Sequence, residues 1–143
     1  MGRFAEGTKV TVDSSRGEIT GILAKHGVER MAWAHVPEGD TIRFELEGNA
    51  YRFRIDKPTW EELAEKYVHE RTPDQRAAAV EGEWRRRWRA NVLLLKAKLE
   101  FADGESSTVV RELMPYALLT DGRTLEEAII AGDASVPLLA AGR

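Results

Sequence analysis

Between Pro73 and about Phe101 nothing interrupts a helical pattern, and good helix formers dominate. Thr72 is placed to cap this segment. Pro73 takes the first helical position, where its missing N–H costs nothing. Val80, Trp84, Trp88, Leu95 and Leu99 recur at helical spacing, with Asn91 and Val92 bridging the middle. A helix of about 28 residues is roughly 42 Å long, more than the width of a small domain. The rest of the chain must therefore wrap around this rod, or part of the rod must project towards a partner.

The rest is short. At 143 residues and 16.1 kDa the chain is the size of one domain. Its 43% hydrophobic and 31% charged residues and mean hydropathy of -0.40 exclude a disordered chain and a helical membrane protein. No apolar stretch approaches the ~20 residues needed to cross a bilayer. The segment Met1-Gly2-Arg3-Phe4-Ala5-Glu6-Gly7 lacks the apolar core of a signal peptide, so a cytoplasmic location is expected. With no cysteine there is no disulfide, thiolate nucleophile or sulfur-ligated zinc.

The clearest strand signal is Thr41-Ile42-Arg43-Phe44-Glu45-Leu46 followed by Tyr51-Arg52-Phe53-Arg54-Ile55, both alternating. A two-residue turn at Gly48-Asn49 pairs Leu46 with Tyr51, Phe44 with Phe53 and Ile42 with Ile55 on an inward face. Glu45 then opposes Arg52, and Arg43 opposes Arg54. Thr8 to Val12 and Met31 to Val36 read as further strands. A helix over about 15–25, capped by Asp13 or Ser14, ends at Lys25-His26-Gly27. Thr59 and Glu62 open a helix running to about Val68. Ser107 or Thr108 begins one through Leu119, kinked near Pro115, and Thr124 caps a last one from Leu125 to Ile130. The expected fold class is α+β: a three- or four-stranded antiparallel sheet with an N-terminal helix, packed against a helical C-terminal half built on the long helix. Residues 1–131 form one domain and 132–143 a loose tail.

Charge is unevenly spread. Residues 71–99 carry eight basic and three acidic side chains, whereas 1–70 and 100–143 are both net acidic. Arg85, Arg86, Arg87, Arg89, Lys96 and Lys98 form a stripe with no acid among them, of the kind that neutralises phosphates. Trp84 and Trp88 then offer stacking faces. The competing reading places both tryptophans in the core with Leu95 and Leu99, spreads the arginine stems over apolar surface, and pairs their heads with the acidic segments. The outer face of the hairpin adds Arg43, Arg52 and Arg54. Tyr51 and Phe53 alternate with these and point inward, unlike the exposed aromatics of a strand-binding sheet.

Other constellations are weaker. Glu65 and His69 stand at i, i+4, but a di-metal bundle needs a second such set, which no other helix supplies. His69-Glu70 meets Pro73 where a zinc-protease helix has its second histidine. His26 and His35 read as end-of-element residues, Asp121-Gly122-Arg123-Thr124 as a turn and cap. Ser14-Ser15-Arg16-Gly17 lacks the glycine spacing and lysine of a phosphate loop. No nucleophile, base and orienting group assemble, so no catalysis, metal or cofactor is expected. An enzyme acting through Glu65 and His69 would require a bound metal.

Trp84-Arg85-Arg86-Arg87-Trp88-Arg89-Ala90, followed by Leu93-Leu94-Leu95-Lys96-Ala97-Lys98-Leu99-Glu100, resembles a family of uncharacterised small proteins encoded by phages, prophages and integrative elements of bacteria. Further matches are Leu23-Ala24-Lys25-His26-Gly27, Phe44-Glu45-Leu46-Glu47-Gly48, Arg52-Phe53 and Leu119-Thr120-Asp121-Gly122-Arg123-Thr124, over roughly residues 12–130. Met31-Ala32-Trp33-Ala34-His35 departs from the Tyr/Phe–Gly–Trp segment usual there. The resemblance implies a phage or mobile-element setting and carries over no catalytic residue. The leading expectation is a non-catalytic binding protein contacting nucleic acid through the basic stripe. The alternative is a protein-interaction module, modulating a host protein or self-associating through the Trp84/Trp88/Leu95 helix. Neither reading involves a membrane.

Overall fold

A computed structural model describes residues 3–70, 72–104 and 107–133. The first element, α1 (Val12–Lys25), is capped by Thr11, whose hydroxyl accepts from the Ser14 N–H at 3.1 Å. The helix thus starts earlier than expected, and the predicted strand over Thr8 to Val12 is not formed. Val12 enters the first helical turn once Thr11 has become the cap. Ile19, Ile22 and Leu23 form its buried face.

Three antiparallel strands follow: β1 (Met31–Val36), β2 (Gly39–Leu46) and β3 (Asn49–Asp56), in that spatial order. The hairpin register differs from expectation by two residues. Phe44 faces Tyr51, Ile42 faces Phe53, and Arg43 faces Arg52 rather than Arg54. The turn is Glu47-Gly48, not Gly48-Asn49, with φ of 50° and 84°, the double positive φ of the turn best matched to strand twist. A shift of two leaves the same side chains inside, because the side-chain period is two. β1 joins β2 through a two-residue turn, Pro37-Glu38. Gly39 then starts β2 at φ 155°, and a Cβ there would stand 2.4 Å from the Ile55 carbonyl oxygen.

The inner face of the sheet carries Ile42, Phe44, Leu46, Tyr51, Phe53 and Ile55, all buried. It closes on α1 and on α3 (Pro73–Gly104), whose buried stripe is Trp84, Trp88, Val92, Leu95 and Leu99. The chain wraps the rod from Glu83 to Leu99. The first two turns of α3 and its last turn, 100–104, stand largely exposed. Between sheet and rod, α2 (Trp60–Leu63) is a single turn capped by Thr59, shorter than the helix expected to Val68.

Beyond the rod, α4 (Val109–Leu113) is capped by Thr108 and gives way to a 3-10 turn at Met114–Tyr116. Here too one helix through Leu119 was expected. Pro115 has no N–H to continue the ladder, so the chain tightens and then extends at Ala117. Ala117 bridges to Tyr51, and the Leu118 N–H donates to the Ala50 carbonyl at 2.9 Å, covering that part of the outer edge of β3. Thr124 and Glu127 form a capping box that opens α5 (Leu125–Ile130). Gly132 and Asp133 still turn back onto α5; the rest of the expected tail, 134–143, lies outside the described residues. The architecture is α+β.

Candidate functional site

The two tryptophans of the basic stripe are core residues. Trp88 is fully buried and Trp84 nearly so. Their rings meet edge to face at 5.9 Å, and Trp88 also packs 5.6 Å from Trp33 of β1. Arg16 of α1 stands over Trp88, its guanidinium carbon 5.1 Å from the ring centroid. No stacking face is left for a base.

The stripe's arginines are each met by a carboxylate of the same molecule. Glu83, whose side chain is 1% exposed, is the hub: Arg86 Nε donates to it, Arg3 Nη1 lies 3.0 Å away and Arg87 Nε 3.9 Å. Burial pushes the Glu83 carboxyl up, but the bond and charge of Arg86 and the charge and bond of Arg3 outweigh it and hold it below the usual carboxylate range. Arg87 also binds Glu62 of α2 at 2.8 Å and donates to the Asp56 carbonyl at 2.9 Å. Arg89 pairs with Glu18 of α1. Arg85 lies 3.8 Å from Glu81, a loose pair one turn away. Lys98 donates to the Glu112 carbonyl at 3.2 Å and stands 6.0 Å from the Tyr116 ring. Lys96 is exposed and has no ion-pair partner among the described residues. The stripe is thus a set of struts from α3 to α1, α2 and the N-terminal segment, not an uncompensated positive array.

The hairpin arginines point the other way. Alternation puts Arg43, Arg52 and Arg54 on the face of the sheet opposite α3. Arg52 pairs with Glu127 of α5 and donates to the Gly122 carbonyl at 3.1 Å. Arg54 Nε lies 2.6 Å from Asp56, and Arg43 is exposed without an ion-pair partner among the described residues. The two basic sets come together at the end of β3, where Arg54 and Arg87 line one concavity with Asp56 and Glu62. Two acids beside two bases cancel its charge.

Glu65 and His69 gain no companions: among the described residues no group of three or more His, Cys, Asp or Glu side chains is placed to hold a metal ion. His26 and His35 meet aspartates instead, His26 Nδ1 at 2.7 Å from Asp103 and His35 Nδ1 at 2.9 Å from Asp40, which Arg16 also reaches. Among the described residues no helix is long and apolar enough to cross a membrane.

Two surfaces escaped the sequence reading. The first is an apolar concavity of about 610 Å³ between the 3-10 turn and α5, floored by Met114, Pro115, Ile129 and Ile130, with Arg111 and Glu126 on its rim. Met114 is 45% and Ile130 77% exposed. Beside it Tyr116 stacks on Phe53 at 3.9 Å; burial and then the nearby Glu126 charge push its hydroxyl pKa up. The signal was present in Ile129-Ile130, two adjacent large aliphatics on a helix too short to bury both. The second is the open edge of β1. Compared with protein-family models, with curated proteins and with solved structures, the chain matches none of them.

Proposed function

We propose that this chain is a non-catalytic protein-binding module, and that the concavity between the 3-10 turn and α5 takes an apolar segment of its partner. The observation carrying this reading is Ile130, a large aliphatic side chain left 77% in water beside an equally apolar floor. Aliphatic side chains exposed around one concavity give an apolar segment of a partner a surface to bury. Arg111 and Glu126 give the rim one charge of each sign, which suits a helix or extended segment bearing apolar anchors between an acid and a base. In the phage or mobile-element setting that the sequence resembles, that partner is a host protein. The internal pairing of Arg85, Arg86, Arg87 and Arg89 weighs against nucleic acid as the ligand of α3.

The test is selection of a displayed random-peptide library on the immobilised protein, with hits then titrated against Met114→Asp and Ile130→Asp variants. Enriched peptides are expected to carry at least two large apolar residues and to weaken at least tenfold on either variant. Peptides that bind the variants as well as the parent, or a library yielding no enrichment, overturn the assignment of this surface.

A further inference from the structure

The fold treats the two edges of its sheet unequally. The edge of β3 is met by Ala117 and Leu118 and flanked by the Arg52–Glu127 pair. Among the described residues nothing comparable covers β1. The Arg30 carbonyl accepts from the Glu45 N–H at 3.4 Å, which fixes the phase of the ladder. Even-numbered residues of β1 turn their backbone groups towards β2. The N–H and C=O groups of Met31, Trp33 and His35 therefore point away from the sheet. Among the described residues no other element takes them up.

Edge strands that stay single are normally guarded by lysine, an inward charge, proline or a bulge. Met31-Ala32-Trp33-Ala34-His35-Val36 contains no Lys, Arg, Asp or Glu and no proline, and its register with β2 runs without a bulge. Its charges lie just outside, and both are exposed: Arg30 before it and Glu38 after it. Neither side chain has an ion-pair partner among the described residues.

We infer that β1 pairs antiparallel with β1 of a second copy of this chain, about a two-fold axis at Ala34, making one continuous six-stranded sheet. The phase of the ladder permits this register, and the charges that flank the strand select it. Only outward-facing residues can exchange bonds, so Trp33 must oppose an odd-numbered residue, and centring on Ala34 sets it against His35 of the second copy. The same register brings Arg30 of each copy beside Glu38 of the other, whereas centring on Trp33 leaves both charges unmatched. Ala32 and Ala34 keep the outer face of the seam small. One two-fold contact then closes both open edges at once. This surface lies at the end of the strand order opposite α5, so it is independent of the concavity proposed for a partner.

The experiment is sedimentation equilibrium of the full chain over a concentration series, with urea midpoints checking that each variant is folded. The parent is expected to approach twice its 16.1 kDa mass as concentration rises. Ala34→Lys, which sets two ammonium groups together on the axis, and His35→Pro, which removes an outward N–H along with the His35–Asp40 contact, should each raise the dimer Kd at least tenfold. Arg30→Glu should weaken the dimer about fivefold, as reversing two exposed ion pairs does, and Arg30→Glu with Glu38→Arg should restore it. A strict monomer at every concentration overturns the proposal. So does a dimer indifferent to Ala34→Lys and His35→Pro, or one that the charge swap fails to rescue.

Discussion

Replacing Glu83 by glutamine tests whether α3 is braced by its own charges. The carboxylate is almost wholly buried and faces three guanidinium groups whose side chains are 18% to 42% exposed. Hydrogen bonds to a charged group contribute about 1.5–3 kcal/mol each, a neutral one about 1. The amide still accepts from Arg86, and the arginine heads can turn towards water, so the net loss should be about 2 kcal/mol. With a urea m-value of about 2 kcal/mol/M, the unfolding midpoint falls by about 1 M. The matched control is Glu81→Gln, an exposed carboxylate whose half-buried partner Arg85 lies 3.8 Å away and whose loss should cost less than about 0.5 kcal/mol. The pH dependence has a definite sign. Because Glu83 is held below its ordinary 4.5 in the fold, its contribution is complete above that pH and fades as pH falls through the lower folded value. Urea titrations followed by tryptophan fluorescence from pH 7 to below 4.5 should therefore show a constant gap above 4.5, with parent and Glu83→Gln converging only below it. Equal midpoints for Glu83→Gln and Glu81→Gln at pH 7, or a gap that widens in acid, would refute the bracing argument.

Two further outcomes follow from the same geometry. The parent should show no salt-dependent binding in fluorescence-anisotropy titrations of single- and double-stranded oligonucleotides, while Glu18→Gln with Glu62→Gln, which frees Arg89 and leaves Arg87 only the Asp56 carbonyl and the looser Glu83 contact, should gain weak binding whose log–log salt slope is steeper by about 1–2; equal affinity for parent and variant defeats the compensation argument. Gly39→Ala drives a Cβ into the Ile55 carbonyl and should lower the melting temperature by about 5–8 °C, against about 2–4 °C for Gly48→Ala, which meets only an unfavourable φ. Equal shifts in circular-dichroism melts would show that β2 and β3 have separated to admit the side chain.

What could be read from the amino acids alone divides along physical lines. The hairpin's inner face was legible because alternation is local, and the same locality let Thr124 announce itself as a helix cap. Its register was not, since Glu47 takes φ 50° and no rule of composition puts a glutamate there. Thr11 was missed as a cap because Val10 and Val12 imitate a strand, and a strand needs a neighbour that the local sequence does not reveal. The stripe on α3 shows the larger failure. Charge tallied in windows makes residues 71–99 basic, yet Glu18 and Glu62 reach Arg89 and Arg87 from segments 71 and 25 positions away. Compensation across the fold is a tertiary property. The exposed apolar floor at Met114 and Ile130 was hidden similarly, because it exists only once Pro115 has broken the expected helix in two.

The order in which this chain is made gives the central rod a further role. The sheet is complete on the ribosome at Asp56, but the last rod side chain that covers it, Leu99, follows roughly forty residues later, some seconds at about 5–20 residues per second. During that interval the nascent strands have an oily underside that only α1 is there to cover. Slow translation through the arginine-rich stretch would prolong this window, making it the stage of biogenesis at which the protein is most open to capture by chaperones or to entanglement with neighbouring nascent chains.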